Sequence, residues 1–162
     1  MLGLAAVRIA ELEADAGARE IGGNNAGPWV EKYLNAGHPQ RVTERGEPWC
    51  VAFFLWCWLQ VRQLPFAFTL SSHRLFERVP SIRCKGEPPP GLQPGDALFW
   101  NYHKDGTDAP THTNMYHHTD EHGVLWTIGG NEGDEESHAP VRVKRRVDLT
   151  KLWGAGFMSA LP

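Results

Sequence analysis

Apolar residues at Leu2, Ala6, Ile9, Leu12 and Ala16 recur near the helical period, which predicts an amphipathic helix over 3–16 ending at Gly17. The stretch EIGGNNAGP is turn chemistry, in which Gly22, Gly23 and Gly27 permit positive φ and Asn24 and Asn25 tolerate it. Pro28 suits the first position of a second short helix, through Val30 and Tyr33 to about 36. A polar loop, GHPQRVTERGEP, leads to a third helix from Trp49 to about Gln63. Its positions Cys50, Phe53, Phe54, Cys57, Trp58, Val61 and Leu64 form one apolar face, and Leu55, Trp56 and Leu59 make the other apolar too. A helix hydrophobic all round belongs in a core. Ser71 or Ser72 can cap a short helix to about Arg78, and the proline-rich stretch 80–94 reads as a loop.

Beyond Pro94-Gly95-Asp96 the period changes from helical to alternating. Strands are predicted over 97–100, 112–118, 124–128, 141–147 and 154–158, with Val124, Trp126 and Ile128 on one face and Val141, Val143 and Val147 on one face. Helices followed by a run of strands predict an α+β domain: N-terminal helices, a buried central helix, and a C-terminal antiparallel sheet of about five strands. At 162 residues the chain is expected to form a single domain with no separate binding domain.

The composition changes this picture little. With 41 % hydrophobic and 22 % charged residues the chain is globular in type, and a net charge of −3 argues against a nucleic-acid partner bound through overall basicity. The apolar run 49–59 is too short to cross a bilayer, so no membrane partner is expected. Arg8, Glu11 and Glu13 interrupt the N-terminal stretch where a Sec signal needs an apolar run. Seven Trp fit a large aromatic core. The acidic knot 132–136 and the basic strand 142–146 read as solvated surface. Three Cys without a CxxC pair do not suggest a disulfide scaffold or a thiolate zinc site.

The chemistry concentrates on Cys50. It lies in the first turn of the apolar helix, where free N–H groups and the helix dipole lower a thiol's pKa. Cys57, flanked by Trp56 and Trp58, fits a buried structural thiol, and the role of Cys84 is not legible. A thiol nucleophile needs a base, and of the eight His the best placed is His112, which opens a strand and shares a face with Asn114 and Tyr116. The imidazole needs an orienting partner, for which Asn131, after Gly129-Gly130 at the end of the next strand, is the first candidate and Glu132 and Asp134 are rivals.

The segments GAREIGGNNAGPWVEKYL, GEPWCVAFFLWCW, LQPGDALFW, THTNMY and WTIGGNEG stand in the order found in CHAP domains, cysteine- and histidine-dependent amidohydrolases/peptidases of the NlpC/P60 superfamily. The chain resembles that family from about Gly17 to Met158. The resemblance implies a papain-like α+β fold and cleavage of a peptidoglycan amide bond, as a phage or prophage endolysin or a secreted antibacterial lysin. Carried over by position, it implies Cys50 as nucleophile, His112 as base and Asn131 as third group. The chain departs from the family in having His112-Thr113-Asn114 for His-Val-Gly, and Gly129-Gly130-Asn131 for Glu-Gly-Asn. Some members bind calcium through acidic residues just before the Cys; the stretch 41–47 does not repeat that pattern, so no metal and no cofactor are expected.

On this reading the Cys50 N–H stabilises the oxyanion, with Tyr33 or Asn25 as candidate second donor. Asn114, Trp49, Trp100 and Trp126 are candidate substrate contacts, core packing being the alternative for the tryptophans. The expected partner is peptidoglycan and the expected state a monomer. The protein is expected to be made in the cytoplasm and to reach the wall or periplasm by lysis or a dedicated secretion system. Two other classes remain: a zinc peptidase using His103, His112, His117, His118 and His122, and a non-catalytic wall-binding module.

Overall fold

The computed structural model describes residues 2–37, 47–133 and 139–162. His38, Arg41 and the rival orienter Asp134 lie outside the described residues. Among the described residues, four α-helices precede or flank a six-stranded, wholly antiparallel sheet. The helices are α1 (Leu2–Asp15), α2 (Pro28–Leu34), α3 (Cys50–Leu59) and α4 (Ser72–Arg78). The strands are β1 (Ser81–Arg83), β2 (Ala97–Trp100), β3 (His112–Thr119), β4 (Leu125–Gly129), β5 (Arg142–Arg146) and β6 (Leu152–Gly156), in the order β1-β6-β2-β3-β4-β5. The chain is thus α+β, with one strand more than expected. The extra strand, β1, lies in the stretch read as loop: three residues between Pro80 and the turns that follow pair with β6, and a run so short carries no readable period.

Sequence causes are visible at most element ends. Gly27, at φ 109°, caps α2 just before Pro28, and the Ser71 side chain accepts from Arg74 N–H at 3.3 Å to cap α4. Helix α3 stops at Leu59, earlier than expected, with Gln60 as its C-cap. It is the central helix: Cys50 through Leu55, Cys57 and Trp58 are all buried. Trp58 Nε1 donates to the Gly95 carbonyl at 3.0 Å, which seats the helix against the turn that starts β2.

The first helix turns a different face inward from the one its leucines suggest. Ala6, Val7 and Ala10 are buried, while Leu2, Leu4 and Leu12 are 45 %, 51 % and 52 % exposed. At Gly3 a Cβ would lie 1.9 Å from the Pro94 carbonyl oxygen. The buried stripe is made of small side chains because the helix approaches the rest of the molecule that closely. Strand β5 corrects a second expectation. Val143 and Val147 are 40 % and 73 % exposed, and Arg146 is only 7 % exposed. Register pairs Arg146 with Leu125, Lys144 with Thr127 and Arg142 with Gly129, so the basic residues take the face opposite to Val143.

Hydrophobic cores lie on both faces of the sheet. The larger joins α1, α2 and α3 to Ala97, Phe99, Met115 and Ile128; the smaller gathers Leu98, Trp100, Leu125, Leu152 and Ala155 on the other face. An aromatic block supports the start of α3. Tyr33 stacks on Trp49 with ring centroids 5.5 Å apart, and Phe53 meets both edge-on. Over this block the chain leaves β4 with no room for a side chain: a Cβ on Gly130 would lie 2.4 Å from Trp49 Cζ3 and 2.8 Å from Phe53 Cβ. Gly130→Ala is therefore expected to destabilise the fold by about 1–3 kcal/mol, the usual cost of overpacking, measured as a shift in the urea midpoint with an unchanged slope.

Candidate active site

The site forms where the start of α3 meets the start of β3. Cys50 is the first residue of α3, with Trp49 as N-cap, so its N–H belongs to the set that has no partner within the helix. His112 is the first residue of β3, paired across from Trp100. The thiol and the imidazole lie close enough to act on each other's charge. The ring's Nε2 is 2.9 Å from Glu132 Oε1. Cys50 and His112 are 3 % and 9 % exposed.

Glu132, not Asn131, therefore partners the imidazole, which corrects the first assignment of the third group by one residue. Asn131 takes φ 57° and turns its side chain the other way, Nδ2 to Asn25 Oδ1 at 3.4 Å. The left-handed residue reverses the chain after Gly130, and the next side chain, Glu132, comes back under His112. Gly129 supplies the space, since a Cβ there would lie 2.8 Å from Glu132 Oε1 and 2.6 Å from Asn114 Cβ.

The surroundings of Glu132 are its anchor. Oε1 accepts from His112, from Asn114 Nδ2 at 2.8 Å and from an Arg146 terminal nitrogen at 2.9 Å, and Oε2 accepts from the same nitrogen at 2.8 Å. Arg146 Nε donates to Thr127 Oγ1 at 2.8 Å, and its guanidinium lies over the Trp100 ring at 4.7 Å. Trp100 Nε1 donates to Asn114 Oδ1 at 3.0 Å, which closes the ring of contacts. Sequence reasoning placed Arg146 on a solvated strand and missed it. The signal was available in its alternation with Arg142 and Lys144, but an inward basic stripe has meaning only once a buried carboxylate is known to face it.

These contacts set the charge states. Burial pushes the Cys50 thiol up, but the His112 charge and hydrogen bond, with the Thr113 and Val51 N–H groups, outweigh it and hold the thiol below its ordinary value. Burial pulls His112 down, but the Glu132 and Cys50 charges and their hydrogen bonds bring it up to about 10. Burial lifts Glu132, while His112, Arg146 and Asn114 bring it down to about 2. The arrangement favours a thiolate–imidazolium pair backed by a carboxylate. Cys57 has the opposite setting: burial raises its thiol well above the ordinary value. Burial also raises the Cys84 thiol, to about 11.

Four other sequence candidates take structural posts. Tyr33 is fully buried, and its hydroxyl donates to Glu13 rather than facing the sulfur. Trp49 is fully buried, its Nε1 bound to Glu20 Oε1 at 3.0 Å, so it supports the site from below and lines no groove. Asn114 is fully buried and spent on Glu132 and Trp100, so it contacts no substrate. Asn25, at φ 50°, donates its backbone N–H to Glu20 Oε1 at 2.9 Å and its Oδ1 accepts from Asn131. Glu20 is the hub that the sequence did not reveal: fully buried, it holds Trp49, Asn25 and the Ala139 N–H together, and so fixes the EIGGNN turn against the start of α3. Trp100 is buried and Trp126 half-buried.

A cleft of about 430 Å³ reaches the site, lined by Pro48, Tyr102, Thr111, His112, Asn131, Glu132, Gly133 and Lys144. Among the described residues no three His, Cys, Asp or Glu side chains gather as a metal site. His117 bonds instead to Glu11 at 3.0 Å and to His118 at 2.7 Å, away from His112. Among the described residues no helix is long and apolar enough to cross a membrane. Comparison with family models, with curated proteins and with solved structures finds no match to this chain.

Proposed function

We propose that the protein is a cysteine amidohydrolase or peptidase. The observation that carries this reading is the chain of contacts from the Cys50 thiol at a helix start, through His112, to the buried Glu132. In the mechanism it supports, the Cys50 thiolate attacks an amide carbonyl and the Cys50 N–H meets the developing oxyanion. The His112 imidazolium gives its proton to the leaving amine, a water attacks the thioester, and His112 takes the proton back. Glu132 holds the ring in place and stabilises its positive charge. A thiol helix packed on an antiparallel sheet, with the base opening a neighbouring strand, supports the papain-like reading of the fold.

The substrate class rests on the sequence resemblance to CHAP domains: a peptidoglycan amide, either muramoyl–alanine or a bond within the peptides. Wall peptidoglycan as the partner, action after lysis or dedicated secretion, and a monomeric state are parts of the same proposal. Mass spectrometry of peptidoglycan digested by the protein is the test. New amines at one bond type are expected; an unchanged digest with active-site thiol intact would overturn the substrate class.

The reading also predicts a pH profile. The thiol's lowered pKa places the acid limb below the range of an ordinary thiol, because activity rises as the thiolate forms. His112, raised to about 10, keeps its proton through neutrality and loses it only as the pH climbs through that value. The hydrolysis rate should therefore form a plateau across neutrality that falls on the alkaline side well above an ordinary imidazole's range, while alkylation of Cys50 by iodoacetamide, which needs only the thiolate, should share the acid limb without that alkaline fall. A profile with its alkaline fall at about 6.5, the value of an unperturbed His, would contradict the ion pair.

A further inference from the structure

We infer that Arg146 is a positioning residue of the active site: its charge is what allows the thiolate to exist in that buried cluster, and its terminal nitrogen, bridging both carboxylate oxygens while Nε is held by Thr127, is what keeps Glu132 under the imidazole. The inference rests on the Cys50–His112 pair being the reacting pair. With the thiolate and imidazolium formed, the cluster holds Cys50 and Glu132 as anions and His112 and Arg146 as cations, and is neutral. Remove the Arg146 charge and the same state is a net anion in a site where Glu132 is 3 % and Arg146 7 % exposed. Burying uncompensated charge is costly, so the cluster regains neutrality by binding a proton. The thiolate is the group that takes it, because Glu132 keeps the bonds from His112 and Asn114.

The geometry separates this role from simple packing. One Arg146 nitrogen meets both Glu132 oxygens, while Thr127 and the Trp100 ring fix the guanidinium from the side and below. A lysine there keeps the charge and loses the planar fork. Among the described residues, the other charged or titratable groups facing the cluster are the Tyr102 hydroxyl, 3.4 Å from Arg146, on the loop after β2, and Arg142 and Lys144 on the same face of β5. Lys144 lines the cleft.

The test measures iodoacetamide alkylation of Cys50 against pH, together with hydrolysis, in Arg146→Lys and Arg146→Met, each first checked for a cooperative melt. Alkylation needs no substrate, so it judges this inference even if the peptidoglycan assignment fails. If no thiolate-dependent alkylation occurs in the parent protein, the reacting-pair reading is what has failed. Arg146→Met is expected to shift the acid limb of alkylation to higher pH. Arg146→Lys is expected to restore the limb to its parental position while kcat stays roughly 10–100-fold low, the usual cost of loosening a supporting group. Arg146→Gln replaces the Met variant if that one does not fold. The inference is overturned if the neutral variant titrates like the parent, or if Arg146→Lys shifts as far as the neutral variant.

Discussion

Cys50→Ala is expected to lower hydrolysis by at least about 10⁴-fold, the scale on which loss of a nucleophile removes a catalytic unit, while leaving a protein that still folds. The sulfur is small and lies at the end of α3 rather than in its middle. Its removal takes away one of the two anionic neighbours of His112 and leaves Glu132, and the Cys50 charge is one of the causes that raise that imidazole. The ring can answer by losing a proton, so the site is not left with a trapped charge. The companion substitution Cys57→Ala discriminates. Cys57 is fully buried two turns along the same helix, and its thiol is held neutral. Cys57→Ala should cost roughly 1 kcal/mol or more, as deletion of a buried group does, and leave the rate per folded molecule unchanged. Hydrolysis rates and urea midpoints of the two variants separate nucleophile from core thiol. Parental activity in Cys50→Ala would remove the basis of the whole mechanism.

The parts of this architecture that were legible are those where local pattern and burial agree. Helix α3 is apolar on every side and is buried on nearly every side. Asp96 ends a Pro-Gly turn, and it does so by accepting from Gln93 N–H at 2.9 Å while pinning Ser159 N–H at 3.0 Å. Strands β2, β3 and β4 fall within about a residue of the alternation that predicts them. What escaped was set by neighbours distant in sequence. The inner face of α1 carries Ala6, Val7 and Ala10, and the close approach that puts the Pro94 carbonyl against Gly3 comes from a turn some ninety residues away. The inner face of β5 is its basic one because Glu132, a loop residue, is buried beneath it. The third group was misplaced by one residue for a related reason. Position along the chain does not say which of two adjacent side chains a left-handed backbone turns inward, and Asn131 spends its tolerance of positive φ on making that turn.

The sharpest separation of those two residues is a pair of substitutions. Glu132→Gln keeps the shape, keeps an oxygen to accept from His112, and removes the charge. The imidazolium then loses its main stabilising partner, and a fall in kcat of about 10²–10⁴-fold is expected, in line with removing the acidic member of a triad. The substitution also leaves Arg146 buried with no anion across from it, which costs about 3–5 kcal/mol of stability when a buried pair is broken. For that reason the rate must be taken per folded molecule, at a temperature below the melt of the variant. The contribution of the pair to stability has a pH window of its own. Glu132 titrates near 2 in the fold and near 4.3 when unfolded, so the stabilisation is complete above the unfolded value and is lost as the pH falls toward 2. Glu132→Gln should flatten that acid dependence. Asn131→Ala, by contrast, touches neither the ring nor the carboxylate, and its cost is a strained left-handed residue and a bond to Asn25. It should lower stability by roughly 1 kcal/mol and change kcat only a few-fold. If Asn131→Ala proves the crippling change and Glu132→Gln is mild on folded protein, the amide is the orienting group and the carboxylate under His112 serves stability alone.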